Sequence, residues 1–225
     1  MWAHSEDSFS IMYANVHVLN QAFCDPELRR ILNEADLVFC DGSGVKLGAR
    51  LLGQYFPERM TGADWIDDLC AVSAESGTRL FFLGSEEGRA ARSAEIMSAR
   101  HPGIEVVGSH HGYLQDPRIN AQTVAAINAA SPHILLVGMG TPIQEKWIAT
   151  YRDKLEVPVV WTVGALFDFM AGVQRRAPRW MLEHNLEWLF RFYLEPRRMW
   201  KRYLVGNPIF LLRLMGQRLG ILSGK

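Results

Sequence analysis

Residues 37–44 read L-V-F-C-D-G-S-G: an apolar run ends at a carboxylate, Asp41, and two glycines follow within three positions. Asp41 has two readings. As a short acid after a strand it caps a turn. As a chemical group it faces a ligand that the glycines admit close to the backbone, since ligands of open α/β sheets sit beyond the carboxyl ends of strands. Gly42, Gly44 and Gly48 give G-x-G-x-x-x-G, one residue longer than the dinucleotide fingerprint. The following P-E-R-M-T-G, residues 57–62, adds Arg59, and places Thr61 as an N-cap with Asp64 three residues on.

Three further stretches carry chemistry-bearing side chains. In G-M-G-T-P-I-Q-E-K-W, residues 138–147, a strand ends in glycines, Thr141 fits an N-cap and Pro142 fits the first helical position. The free N–H groups there, from Gly140 on, suit a diphosphate, and Gln144 and Lys146 add donors; a plain capped helix is the competing reading. In G-S-H-H-G-Y, residues 108–113, adjacent His110 and His111 point opposite ways on an extended chain and have no further ligand at metal spacing. They read as hydrogen-bonded loop residues, and Tyr113 offers a flat face to a base. In V-G-A-L-F-D-F-M-A-G, residues 163–172, Asp168 is an acid in an apolar helix start. It either caps its helix or accepts hydrogen bonds from a ligand such as a uracil or a ribose. No Asp is followed by another two positions later, so there is no acidic pair of the spacing that holds Mg²⁺ or Mn²⁺ in nucleotide-sugar transferases. Cations and a helix dipole are left to meet a departing diphosphate.

The elements that position these groups alternate. Strands are expected at 9–12, 37–40, 79–83, 104–107, 134–137 and 157–163. Helices are expected at 16–23, 26–34, 44–52, 61–76, 86–100, 117–130 and 142–155. This predicts an α/β fold: a mainly parallel, Rossmann-like sheet with helices on both faces. The short apolar runs suit strands covered on both sides. Beyond Ala171 no strand is expected, and residues 174–225 read as short amphipathic helices broken at Pro196 and Pro208. The expected organisation is therefore a core, 1–173, and a helical appendage, 174–225.

With 225 residues, 48% of them hydrophobic, the chain can bury a full core and is not disordered. Cys24, Cys40 and Cys70 lack C-x-x-C spacing and read as reduced, buried thiols of a cytoplasmic protein. The polar first ten residues do not read as a signal peptide, and no run of about 18 apolar residues spans a bilayer. The net charge of zero hides a split: residues 174–225 carry 11 Lys and Arg against three acids, leaving 13 against 21 in the rest. Such a tail is aimed at something anionic: a membrane surface, a diphosphate or a nucleic acid. Trp180, Trp188 and Trp200 interleave with its arginines, as interfacial helices do. A plain helical cap over the sheet is the alternative.

Taken in order, N-V-H-V-L-N (15–20), A-D-L-V-F-C-D-G-S-G-V (35–45), P-E-R-M-T-G (57–62), H-H-G-Y (110–113), G-M-G-T-P-I-Q-E-K-W (138–147), G-A-L-F-D-F-M-A-G (164–172), R-R-A-P-R-W-M (175–181), L-E-W-L-F-R (186–191) and E-P-R-R-M-W-K-R-Y (195–203) resemble the WecG/TagA/CpsF family of bacterial glycosyltransferases. The resemblance runs from about residue 12 to 212. It implies inverting, metal-independent transfer of a sugar, of N-acetylmannosamine type or glucose, from a UDP-sugar to a saccharide on a membrane polyprenyl diphosphate, with no cofactor. It implies work at the inner face of the cytoplasmic membrane in cell-surface polysaccharide synthesis, with homo-oligomerisation left open and no nucleic acid as partner. Asp41 matches the proposed base, and Asn15, Arg59 and Gln144 match pocket positions. Tyr113 and Asp168 match the uridine-holding residues. Arg191 and Arg198, with Lys201 or Arg202, match the arginines that close over the diphosphate. Two departures stand out: the family generally opens with a further strand and helix that this sequence lacks, and Tyr13 stands where many relatives have Thr.

Two rival functions remain on the residues alone. An NAD(P)-dependent oxidoreductase fits the α/β pattern but needs the G-x-G-x-x-G that is missing. A non-enzymatic scaffold binding membrane or nucleic acid through the basic tail explains the charge split, but not Asp41, Gln144 and Asp168 at successive strand ends.

Overall fold

The computed structural model describes residues 2–5, 7–56, 60–184 and 186–221. Its strands are β1 (Phe9–Ala14), β2 (Leu37–Cys40), β3 (Arg79–Gly84), β4 (Glu105–His110), β5 (Ile134–Gly138) and β6 (Val159–Thr162). The helices are α1 (Val16–Cys24), α2 (Pro26–Glu34), α3 (Ser43–Leu51), α4 (Gly62–Ser76), α5 (Arg89–Arg100), α6 (Pro117–Ala130), α7 (Ile143–Tyr151), α8 (Leu166–Met170), α9 (Arg179–Glu183), α10 (Glu187–Leu194), α11 (Pro196–Trp200) and α12 (Gly206–Arg218). A π-helical turn, Lys201–Val205, joins the last two. The chain divides into two compact units. The first comprises Met1–Tyr13, Leu28–Val38 and Gly62–Gln174; the second comprises Ala14–Glu27, Phe39–Thr61 and Arg175–Lys225.

The first unit is built on the six-stranded sheet, in the order β2-β1-β6-β5-β3-β4. The pairs β1–β6, β6–β5, β5–β3 and β3–β4 are all parallel. Every residue of β5 is buried. Successive side chains leave a strand on opposite faces, so both faces of the sheet are covered at its centre. That is why Ile-Leu-Leu-Val reads as an unbroken apolar run. Helix α5 packs on β3 and β4, α6 on β4, and α7 on β6. The core closes with Phe82 against Phe167, ring centroids 5.2 Å apart.

The strand order fixes where a ligand site can form. The crossover after β3 leads to β4 on one side, and the crossover after β5 leads to β6 on the other. The connections diverge between β3 and β5, leaving the crevice at a topological switch point that α/β sheets use for ligands. Gly84 ends β3 there with φ 148°, and a Cβ on it would collide with the Gly138 carbonyl at the end of β5. The two strand ends therefore meet backbone to backbone, and Ser85 N–H donates to the Gly138 carbonyl at 2.8 Å.

Several local expectations need correction. Helix α7 begins at Ile143, with Pro142 in the cap position and no side-chain cap. Thr141 instead donates its hydroxyl to Glu145 Oε1 at 2.9 Å, one turn inside the helix. Helix α5 starts at Arg89 because Gly88, at φ 79°, takes a left-handed turn first. Pro196 does begin a new helix, but Pro208 does not break one: it lies in the first turn of α12, which continues directly from the π-helical turn. Cys40 and Cys70 are buried as expected, whereas Cys24 is exposed at the end of α1.

In the second unit α12 packs on α1 and α3. Buried Phe210 and Leu214 supply its apolar face. Arg213 supplies the polar anchor: its Nη1 donates to the Asn20 carbonyl at 3.0 Å and to Asn20 Oδ1 at 2.8 Å, Nη2 lies 3.3 Å from Cys24 Sγ, and the guanidinium covers the Phe23 ring at 4.0 Å. Asn20 returns a bond from Nδ2 to the Gly206 carbonyl at 2.7 Å. Arg213→Ala is expected to destabilise this unit by about 1–3 kcal/mol. Amide hydrogen exchange checks it: exchange should accelerate across α12 and α1 and stay unchanged in β3 and β5.

Candidate functional site

Each unit carries its own cluster of reactive side chains. In the second unit, Asn15 caps α1, its Oδ1 accepting from Val18 N–H at 3.0 Å. The other end of the same amide donates to Asp41 Oδ2 at 3.0 Å. The Asp41 N–H donates to the Ala14 carbonyl at 2.9 Å. Backbone and side chain of Asp41 are thus tied to the residues that start α1. Asp41 is not a cap: the cap position of α3 is Gly42, with φ 100° and no side-chain bond. Nothing lies within 4 Å of where a Cβ on Gly42 would sit, so the glycine leaves open space beside the carboxylate.

Burial pushes the Asp41 carboxyl above its ordinary range. The Asn15 hydrogen bond and the nearby Arg191 and Arg202 oppose that shift, and Glu187 reinforces it. Glu187 is buried and accepts from Arg191 Nη2 at 3.0 Å, which fixes the guanidinium on one turn of α10. Arg202 and Tyr203 lie on the π-helical turn, a distortion frequent at functional sites. Burial raises the Tyr203 phenol, so it stays protonated. His17 is lowered to about 4 by burial and by Arg202. At neutral pH His17 is therefore an uncharged, weak base, while the proton affinity of Asp41 moves toward the working pH, the direction general-base catalysis favours.

The basic residues expected to act on a diphosphate separate. Arg191 and Arg202 act on Asp41. Arg198 pairs instead with Glu195, Nη1 lying 3.3 Å from Oε2 on an exposed side chain. Lys201 rests over the Trp200 ring at 5.6 Å. Arg59 lies outside the described residues.

In the first unit the switch point is lined by charge. Asp168, 9% exposed, follows β6 on α8. Its Oδ1 accepts from Ser85 Oγ at 2.5 Å and from Arg89 Nη1 at 2.7 Å. Arg89 Nη2 donates to Glu86 Oε2 at 2.5 Å. Asp168 chiefly, with Glu86 and Tyr113 adding their charge or dipole, holds the Arg89 proton more firmly than usual. Tyr113 is exposed, and its N–H donates to His111 Nδ1 at 3.2 Å. The rings of His110 and His111 lie 4.3 Å apart, not on opposite sides as expected, because β4 ends at His110 and the chain turns.

Gln144 also departs from expectation. It is fully buried, and its amide is taken by the protein. Oε1 accepts from Gly140 N–H at 3.3 Å and Gly164 N–H at 3.1 Å; Nε2 donates to Tyr13 Oη at 3.2 Å and Glu145 Oε1 at 2.9 Å. It ties the loop after β5 to the loop after β6 and leaves no donor for a ligand. Gly140, at φ 79°, has its N–H turned to Gln144. Glu145 is fully buried beside Gln144, and burial raises its carboxyl.

Sequence reasoning missed Ser85, Arg89 and Glu187. The signal for the first two was a strand ending in Gly-Ser, with Arg four residues beyond the serine. For Glu187 it was the i,i+4 spacing to Arg191.

The profile described as "Glycosyl transferase WecG/TagA/CpsF family" matches residues 1–223. An N-acetylglucosaminyldiphosphoundecaprenol N-acetyl-beta-D-mannosaminyltransferase of Bacillus spizizenii is 32% identical over 194 residues, covering 86% of this chain and 74% of the relative. The protein of the same description from Bacillus subtilis gives the same identity and coverage. One from Staphylococcus aureus is 31% identical over 216 residues, covering 93% of this chain and 81% of the relative.

Gln144→Leu keeps the volume but leaves Gly140 and Gly164 N–H groups without an acceptor. It is expected to destabilise the first unit by about 1–3 kcal/mol per orphaned group, read as a lowered midpoint in urea unfolding. A stability equal to wild type would show that the bridge holds nothing.

Proposed function

The chain belongs to the WecG/TagA/CpsF family of glycosyl transferases, and from that premise we propose that it transfers an N-acetylmannosamine-type sugar or glucose, with inversion, from a UDP-sugar to a saccharide carried on a polyprenyl diphosphate. The names of the relatives support the acceptor class. The single observation that carries the mechanism is Asp41: a half-buried carboxyl with raised proton affinity, held by Asn15, with the cations of Arg191 and Arg202 acting on it.

A sugar hydroxyl attacks poorly until its proton is drawn off. Asp41 accepts that proton as the hydroxyl oxygen bonds to the anomeric carbon and the bond to the diphosphate breaks. A positioned base contributes about 10²–10⁴-fold to the rate. The leaving UDP gains negative charge as it departs, and Arg191 and Arg202 stabilise it, supplying the charge that a divalent cation provides elsewhere. Glu187 keeps Arg191 in place. The first unit, for its part, carries groups suited to a nucleoside: the exposed ring of Tyr113 and the carboxylate of Asp168.

The second unit also suits the surface that carries the acceptor, and this reading puts the enzyme peripherally on the inner face of the cytoplasmic membrane. Trp180, Trp188, Trp200, Tyr193 and Leu212 are exposed, with Arg197 among them. No helix among the described residues is long and apolar enough to cross a membrane. Rings at headgroup depth with cations on anionic lipid match such a surface.

Transfer from UDP-N-acetylmannosamine to a synthetic N-acetylglucosaminyl diphospholipid, followed by chromatography of the product, tests the reaction. Asp41→Asn should lose about 10²–10⁴-fold in turnover while UDP binding persists; undiminished turnover removes Asp41 from its role. Transfer should continue in excess EDTA. Leu212→Glu and Arg197→Glu should each reduce co-sedimentation with phosphatidylglycerol vesicles, and unchanged sedimentation of both would contradict the membrane contact.

A further inference from the structure

The Asp168 carboxylate is arranged asymmetrically. Among the described residues its two side-chain donors, Ser85 Oγ and Arg89 Nη1, bond the same oxygen, Oδ1. Asp168 sits beside the switch point of the sheet, where ligands of this fold class lodge. Its side chain retains 13% exposure and that of Arg89 25%. Ser85 holds φ 60°, a conformation uncommon for a residue with a Cβ, and from it the hydroxyl reaches Asp168. Arg89 is further held by Glu86 on its other nitrogen, which fixes the plane of the guanidinium.

We propose that Ser85 and Arg89 are the base-selecting residues of the donor site: they saturate one oxygen of Asp168 so that the other, beside the Arg89 guanidinium, reads the imide edge of uracil and rejects cytosine and guanine. This rests on the UDP-sugar reading above and deepens it.

Donors and acceptors decide which base fits. A carboxylate with both oxygens free grips guanine, whose N1–H and N2–H₂ are two parallel donors. With Oδ1 already taking two hydrogens, only Oδ2 is left, and the bidentate grip is lost. Uracil presents one donor, N3–H, between two carbonyl acceptors. Oδ2 takes N3–H, and the N–H groups that Arg89 has left reach a flanking carbonyl. Cytosine presents a bare N3 lone pair to Oδ2 and an amino group toward the guanidinium, which sets acceptor on acceptor and donor on donor. Guanine loses the partner of its second donor, because N2–H₂ finds no free carboxylate oxygen opposite it once Oδ1 is taken. A site built around hydrogen bonds discriminates strongly because the wrong ligand leaves its polar groups unpaired. Tyr113, exposed and close enough to Arg89 to bear on its charge, supplies a flat surface that accepts any base. The selection therefore lies with the Ser85–Asp168–Arg89 set.

Isothermal titration of the full chain with UDP, CDP, GDP and N3-methyl-UDP tests this. Wild type should bind UDP at least about tenfold more tightly than each of the other three. Arg89→Met should weaken UDP and bring the UDP-to-CDP ratio to within about threefold. Ser85→Gly, which removes the hydroxyl and relieves the left-handed backbone, should narrow the same ratio and improve GDP relative to UDP. A merely structural role for these residues lowers stability and all affinities together and leaves the ratios alone. If wild type binds UDP but both variants keep the wild-type ratios, the inference is overturned and the donor reading survives. If wild type binds no UDP, the donor reading is overturned and this inference with it. Ser85→Gly keeps the test decisive should Arg89→Met fail to fold.

Discussion

A carboxyl group taken partly out of water must either find partners or hold its proton more tightly. Asp41 does some of each, and the chemistry of the second unit follows from that balance. One hydrogen bond from Asn15 and the attraction of Arg191 and Arg202 keep the group ionisable, while burial and Glu187 keep it basic. With further cations it becomes an inert counter-ion; with fewer it stays a neutral acid. Asn15 is the hinge of this arrangement because the same amide starts α1. The helix and the carboxylate are positioned by one side chain.

The first unit applies the same economy to backbone. Gln144 bridges the loops after β5 and β6 by accepting from Gly140 and Gly164 N–H, so the loops that end two strands are tied through one side chain. Gly84 and Gly138 touch where β3 and β5 end, which brings Ser85 within reach of Asp168. The network of Ser85, Asp168 and Arg89 is thus a consequence of parallel strands diverging at their switch point, and needs no loop rearrangement to exist.

Most of the architecture was legible because it rests on local signals. Ile134–Val137 reads as a strand covered on two faces, and a helix is expected from Pro117, which the Asp116 carboxylate caps by accepting from Arg118 N–H at 2.8 Å. Asp41 stood out as an acid closing an apolar run. What was not legible depends on partners far apart in sequence. Gln144 looked like a ligand donor because nothing local shows that residues 131 and 20 positions away, Tyr13 and Gly164, take its amide. Arg89 looked like an ordinary helix-start residue because Asp168 lies 79 positions on. Thr141 fitted a cap on pattern alone, yet its hydroxyl goes to Glu145, whose burial makes that bond the more valuable. Residue type alone makes Pro208 a break, whereas the helical backbone runs through it from the π-helical turn into α12.

Burial sets the proton affinity of Asp41 above that of an ordinary aspartate, and two guanidiniums restrain it. Carbon-13 titration of the Asp41 carboxyl, in wild type and in Arg191→Met, measures this directly. The expected midpoint lies above the usual value of about 3.9 and rises further when Arg191 is removed, and the acid limb of kcat/KM moves with it, activity falling as pH drops and the carboxylate takes up its proton. A midpoint at or below the ordinary value, or one indifferent to Arg191, would contradict it.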